Sequence, residues 1–189
     1  MSSETPNAKT PLLRRPPNQG WRMANEMVSI EAAPPASRIS LRATDEGATA
    51  FEVALGLTLP RKPGMSASRG GRHALWLGPD EWLVYDDMKP DTSMVPRLGS
   101  SKFAAIDISH RNTGFMVTGS GAANTLNAGC PRDLSDSAFP VGCCSRTIFG
   151  KAEIVLHRVG EDAYRVECWR SFAPYVRELL TQGAKDAGL

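Results

Sequence analysis

The sequence predicts an α+β fold of mixed or antiparallel sheets, with hairpins and a few packed helices. Two strand–turn–strand stretches carry this prediction, one around Gly78-Pro79-Asp80-Glu81 and one around Val159 to Asp162. Helical periodicity is confined to well-separated stretches, so the element order reads β-α-β-β and then β-β-α-β-β-β-α. Segregated helices and adjacent hairpins oppose a doubly wound parallel sheet.

Residues 1–36 hold six prolines, at 6, 11, 16, 17, 34 and 35, and little periodicity. They read as an N-terminal arm that a partner can order, because Leu12, Leu13, Trp21, Met23, Met27 and Ile30 are more apolar than a free arm needs. Residues 37–189 then form the domain. Arg38 to Ala43 alternates, with Ile39, Leu41 and Ala43 on one face. Asp45 is placed as N-cap of a helix whose apolar face is Ala48, Phe51 and Leu55 and which Gly56 stops. Pro60 to Gly71 reads as a long loop. His73 to Leu77 and Trp82 to Tyr85 are the first hairpin, and Asp86 to Gly99 is a polar connection.

The central stretch, Phe103 to Leu134, is expected to hold a strand to Ser109 and a tight turn at His110-Arg111-Asn112. A second strand runs from Thr113 to Thr118, and a short helix between Gly119-Ser120-Gly121 and Gly129 follows. Cys143 to Phe149, Lys151 to Arg158 and Ala163 to Trp169 are three further strands. The last helix is expected to start at Ser171 and end at Gly183. Phe172, Tyr175, Val176, Leu179 and Leu180 give it an amphipathic stripe.

Composition narrows the function. A net charge of +2 and the lack of a Lys/Arg block argue against nucleic acid. No apolar stretch reaches membrane-spanning length, and the N-terminus lacks the apolar run of a signal peptide. Four cysteines with no C-x-x-C spacing predict reduced thiols in a cytoplasmic protein. His73, His110 and His157 lack metal-ligand spacing. Asp107, Ser109 and His110 are neighbours in the chain, which does not put a histidine between the other two in space, and no nucleophile elbow is present. Gly119-Ser120-Gly121 lacks the third glycine of a dinucleotide loop, since Asn124 stands there. Glu153, Glu161 and Glu167 are read as solvated carboxylates on or between outward strand faces. No catalytic, cofactor-binding or metal-binding residue is assigned. What stands out instead is Trp76, Trp82, Arg111, Arg146, Trp169, Arg170 and Phe172 near strand ends and turns, the residue types that anchor interfaces.

Several motifs, in order, resemble one family. Leu75 to Leu83 (LWLGPDEWL) resembles a hairpin of the gamma subunit of heterotetrameric sarcosine oxidase. Asp107-Ile108-Ser109-His110-Arg111 is similar to its D-V-S-x-R strand end. Gly129 to Leu134 is similar to its GCPLDL, with Arg132 in place of leucine. Phe139-Pro140-Val141-Gly142 and Arg170-Ser171-Phe172-Ala173 match in the same order, so the resemblance spans about Arg38 to Leu180. Gly119, Ala122 and Leu126 also sit as in the G-x-x-A-x-x-x-L helix of the wider glycine-cleavage T-protein family.

The resemblance implies a T-protein-like fold and a place beside alpha, beta and delta subunits. It implies a complex that oxidatively demethylates sarcosine to glycine, passes the one-carbon unit to tetrahydrofolate and reduces O2 to peroxide. NAD, FAD, FMN, tetrahydrofolate and zinc are expected in the other subunits and none in this chain. A free-standing folate-dependent one-carbon transferase, or a subunit of a related N-methyl amine oxidase, is the alternative.

Overall fold

Alternating apolar residues need one covered face, and the chain supplies more than that, with two sheets packed face to face and helices outside each. The structure, a computed structural model, describes residues 18, 20–88 and 102–188. The first sheet has the order β1-β2-β8-β11-β10-β9, built from β1 (Arg22–Ala24), β2 (Ser29–Ala32), β8 (Asn112–Thr118), β11 (Ala163–Trp169), β10 (Ala152–Gly160) and β9 (Cys144–Phe149). The second has the order β4-β5-β6-β3-β7, built from β4 (Ser66–Arg69), β5 (Arg72–Gly78), β6 (Glu81–Asp86), β3 (Ser37–Ala43) and β7 (Phe103–Asp107). Every pairing is antiparallel.

Helix α1 (Asp45–Leu55) covers the outer face of the second sheet, where Phe51, Leu55, Ile39, Leu41, Trp82 and Val84 form one core. Helices α2 (Ala122–Asn127) and α3 (Ala173–Ala187) cover the outer face of the first. There Leu126, Val176 and Leu180 pack on Phe115, Val117, Ile154, Leu156, Tyr164 and Val166. The α+β expectation holds, and both hairpins form where expected.

Several expectations are corrected. The arm does not extend to residue 36. β1 and β2 pair with each other, and β2 pairs with β8, so residues 22–32 contribute strands to the first sheet of the same domain. Part of the apolar surface here is spent within the chain: Ile30 is fully buried and the preceding Trp21 stands edge-on to Phe115, while Met27 stays 41% exposed. Residues 1–17, with Leu12 and Leu13, lie outside the described residues, as does the stretch 89–101. Within the expected loop 60–71, Ser66–Arg69 forms β4. Thr44, not Asp45, caps α1, its Oγ1 accepting the Gly47 N–H at 3.2 Å. The tight turn expected at His110 to Asn112 does form, the Arg111 and Asn112 N–H groups both donating to Ile108 O, and it joins strands of different sheets, β7 and β8.

A single 3₁₀ turn (Arg170–Phe172) precedes α3, whose start has no side-chain cap. α3 then runs through Gly183 to Ala187. Gly183 marks contact, not termination: a Cβ there would lie 2.5 Å from the Thr125 carbonyl oxygen of α2 and 3.1 Å from Ala128 Cβ. Gly183→Ala gains about 1 kcal/mol of helix propensity. The clash is with backbone that has nowhere to move, and overpacking costs about 1–3 kcal/mol. A net loss of stability is the expected result, read as a lower urea midpoint. A midpoint that rises would show the two helices free to separate.

Candidate functional site

The inner faces of the two sheets do not meet as a purely apolar layer. Leu75, Leu83, Tyr85, Ile108 and Cys144 are interleaved with charge. Glu167 on β11 takes two hydrogen bonds from Arg38 on β3, Nε at 2.6 Å and Nη2 at 3.0 Å, and a third from Arg165 Nε at 2.8 Å. All three side chains are buried. The expectation of a solvated Glu167 is therefore wrong. β11 is a central strand of the first sheet and the second sheet covers its inner face, so its outward side is a second interior. Burial alone would raise the Glu167 carboxyl, but Arg38 and Arg165 overcome it and hold the group below the usual carboxylate range. Arg165 also lies over the Tyr85 ring, 4.3 Å from its centroid.

The loop motif Asp107 to Arg111 locks this joint. The Asp107 carboxylate accepts the Ser109 N–H at 2.8 Å. Ser109 Oγ accepts the Arg38 N–H at 2.8 Å, and Arg38 O accepts the Ile108 N–H at 2.9 Å. Ser109 is thus a structural acceptor at the base of the charged triad. Gly119-Ser120-Gly121 is occupied likewise. Gly119 has φ +111°, and a Cβ on it would fall 2.4 Å from the Met27 carbonyl oxygen, while Gly121 N–H donates to that same oxygen at 2.9 Å. The loop clasps the β1–β2 turn.

A neutral relay extends the seam. The Ser66 hydroxyl donates to Gly142 O at 2.6 Å, which leaves its oxygen to accept from His157 Nε2 at 3.0 Å. His157 Nδ1 then accepts from the Tyr85 hydroxyl at 3.0 Å. Every polar atom is satisfied with the imidazole neutral. Burial, with His73 and Arg165 nearby, pushes His157 down to about 3, and burial lowers His73 as well, against the pull of Asp87. The unfolded chain protonates near 6.5, so the contribution is complete above that pH and is lost as pH falls from 6.5 towards 3. One proton corresponds to about 1.36 kcal/mol per pH unit. Urea denaturation is expected to show at least about 2 kcal/mol less stability at pH 5 than at pH 7.5. Equal stability at both would contradict a buried neutral His157.

At one end of the seam the sheets part into a cleft of about 50 Å³, bordered by Leu77, Ile108, Arg111, Arg146, Glu153 and Trp169 among others. Small-molecule pockets run to about 300–1,000 Å³, so the cleft as it stands admits a side-chain tip and not a folate or a flavin. Among the described residues no group of three or more His, Cys, Asp or Glu side chains is placed to hold a metal. The buried Cys144 and Cys168 thiols are pushed up to about 12 by burial.

The residues singled out from the sequence divide. Arg111, Arg146 and Trp169 gather at the cleft. Arg146 is ion-paired with Glu81. The Arg111 guanidinium lies over the Trp169 ring, 5.1 Å from its centroid. Trp169 is 42% exposed and Phe172 39%, and Arg170 is half-buried between them. Trp76 is half-buried against the core under α1. Trp82 is corrected: it is 1% exposed, its indole N–H donates to Pro60 O at 2.8 Å, and its ring belongs to that same core. Arg132, where the resembling family has leucine, is exposed and so carries no burial cost.

The two-sheet fold with helices outside places the chain in a known architectural class. It superposes on glycine cleavage system aminomethyltransferase T from Bartonella henselae with a TM-score of 0.59. That match has 12% identity and covers 85% of this chain and 49% of that one, so it shows the fold alone. The particular family is shown by the sequence. The model of the sarcosine oxidase gamma subunit family matches residues 42–186, and the chain belongs to that family. It is 32% identical over 139 residues to sarcosine oxidase subunit gamma from Arthrobacter sp, covering 69% of this chain and 67% of that one. To the same subunit of Corynebacterium sp. (strain P-1) it is 30% identical over 156 residues, covering 80% and 77%. A chain of heterotetrameric sarcosine oxidase from Corynebacterium sp. U-96, solved with pyrrole 2-carboxylate, superposes with a TM-score of 0.84. The identity is 26%, covering 94% of this chain and 97% of that chain.

Proposed function

We infer that this chain is the non-catalytic gamma subunit of a heterotetrameric sarcosine oxidase, holding alpha, beta and delta subunits in one cytoplasmic complex. The complex oxidatively demethylates sarcosine to glycine, gives the one-carbon unit to tetrahydrofolate and reduces O2 to hydrogen peroxide. NAD, FAD, FMN, tetrahydrofolate and zinc are held by the other subunits. The observation that carries this reading is the near-complete superposition on a chain of a heterotetrameric sarcosine oxidase. The site is consistent with it. The buried Arg38, Arg165 and Glu167 charges are spent on each other, while Trp169 and Phe172 at the end of β11 and the nearby Arg111 are exposed.

Co-expression of the tagged chain with the three other subunits tests the reading. Recovery of a complex with flavin absorbance that turns over sarcosine is the expected outcome. Turnover by the isolated chain, or micromolar binding of tetrahydrofolate to it, would favour the free-standing transferase instead.

A further inference from the structure

We propose that Arg111, braced on Trp169, receives a carboxylate side chain of a partner subunit at the mouth of the inter-sheet cleft. The inference rests on the subunit reading above and names the chemistry of one contact. Arg111 is exposed, yet it is held on several sides. Its N–H donates to Ile108 O at 3.0 Å, and its own carbonyl accepts the Arg170 N–H at 2.7 Å. Its Nε donates to Asn112 Oδ1 at 3.2 Å, and its guanidinium lies over Trp169. A cation fixed in this way loses little freedom on binding, which favours docking.

Its charge is unspent. Arg146, on the same cleft, is ion-paired with Glu81, and the buried Glu167 is taken by Arg38 and Arg165. The remaining carboxylate at the cleft, Glu153, forms no ion pair with Arg111. Among the described residues Arg111 has no carboxylate partner, and the Trp169 indole N–H has no acceptor. The rim around Arg111 therefore offers donors and a flat aromatic wall.

A planar guanidinium with both Nη groups open matches a carboxylate bidentately, as an ammonium does not. The cleft volume admits the end of a side chain, and the chain superposes on a subunit of a heterotetramer, so the carboxylate assigned is an aspartate or glutamate of a neighbouring subunit. Arginine and tryptophan are also the residue types that dominate interface energetics.

The test uses the co-expressed complex. Arg111→Glu and Arg111→Lys are made in the tagged chain, and thermal denaturation of each isolated variant serves as the folding control. Arg111→Glu is expected to weaken recovery of the partner subunits by about 30-fold. Arg111→Lys, which keeps the charge but not the fork, should fall between that and the unaltered chain. Carbodiimide treatment of the Arg111→Lys complex is then expected to join position 111 to an aspartate or glutamate of a partner, found by peptide mass spectrometry. If the unaltered chain and Arg111→Glu assemble equally, or position 111 yields no such cross-link, the inference is overturned and the subunit reading stands. If the unaltered chain recovers no flavoprotein subunit, both fall.

Discussion

Glu167→Ala is expected to cost the isolated chain about 3–5 kcal/mol, the range for breaking a buried pair by removing one partner. For a chain of this size that corresponds to a fall in Tm of about 6–20 °C. The reason lies less in the lost attraction than in what is left behind. Arg38 and Arg165 are 4% and 2% exposed, and Glu167 is the one carboxylate that answers both. Without it, two guanidinium groups stay between the sheets without a hydrogen-bonded counter-charge. Replacing all three residues by apolar side chains of similar volume removes the orphaned charges and is expected to recover most of the loss. A triple variant as unstable as Glu167→Ala would mean that the hydrogen bonds themselves, not the stranded charges, hold the seam. Acid acts in the same direction. The carboxyl is held below its unfolded value, so its contribution is present above about pH 4.3 and disappears as pH falls through the folded value.

That buried triad also shows where local reading of a sequence stops. Arg165-Val166-Glu167-Cys168 alternates charged and apolar residues, the pattern of a strand with one wet face. The pattern is right about the strand and wrong about the water, because both faces of β11 are covered. A signal was present: Arg165 and Glu167 share a face and carry opposite charge, and Arg38 interrupts another apolar strand. Which strands face each other, however, is a property of sheet order. The same limit explains His110 to Asn112. Local residue types announce a turn, but only topology decides that the next strand joins the other sheet. By contrast, features set by neighbours in the chain were legible: the Trp76–Trp82 hairpin, the pairing of β10 with β11, and the buried stripe of Val176 and Leu180 on α3. At the site, Arg111 and Trp169 were recognisable as residue types. Their stacking was not, since it needs the crossover and the end of β11 to meet.

The second large effect separates two tryptophans that look alike in sequence. Trp82→Ala is expected to destabilise the isolated chain by about 3–5 kcal/mol, the cost of emptying a buried aromatic site. The change also strands the Pro60 carbonyl and removes the ring under the Arg61 guanidinium. Trp169→Ala is expected to do the opposite. Its ring is 42% exposed and its stacking on the Arg111 guanidinium lies at the rim, so the loss of stability should be smaller, about 1 kcal/mol. Assembly with the partner subunits should weaken by about 2 kcal/mol or more if the ring is an anchor, which is about 30-fold in Kd. Urea denaturation of the isolated chain and quantitative co-purification read the two effects independently. Burial within one chain consumes an aromatic surface before any partner arrives, so the two tryptophans cannot both be anchors. A Trp82→Ala chain of unchanged stability, or a Trp169→Ala chain that assembles normally, would break that assignment at a definite residue.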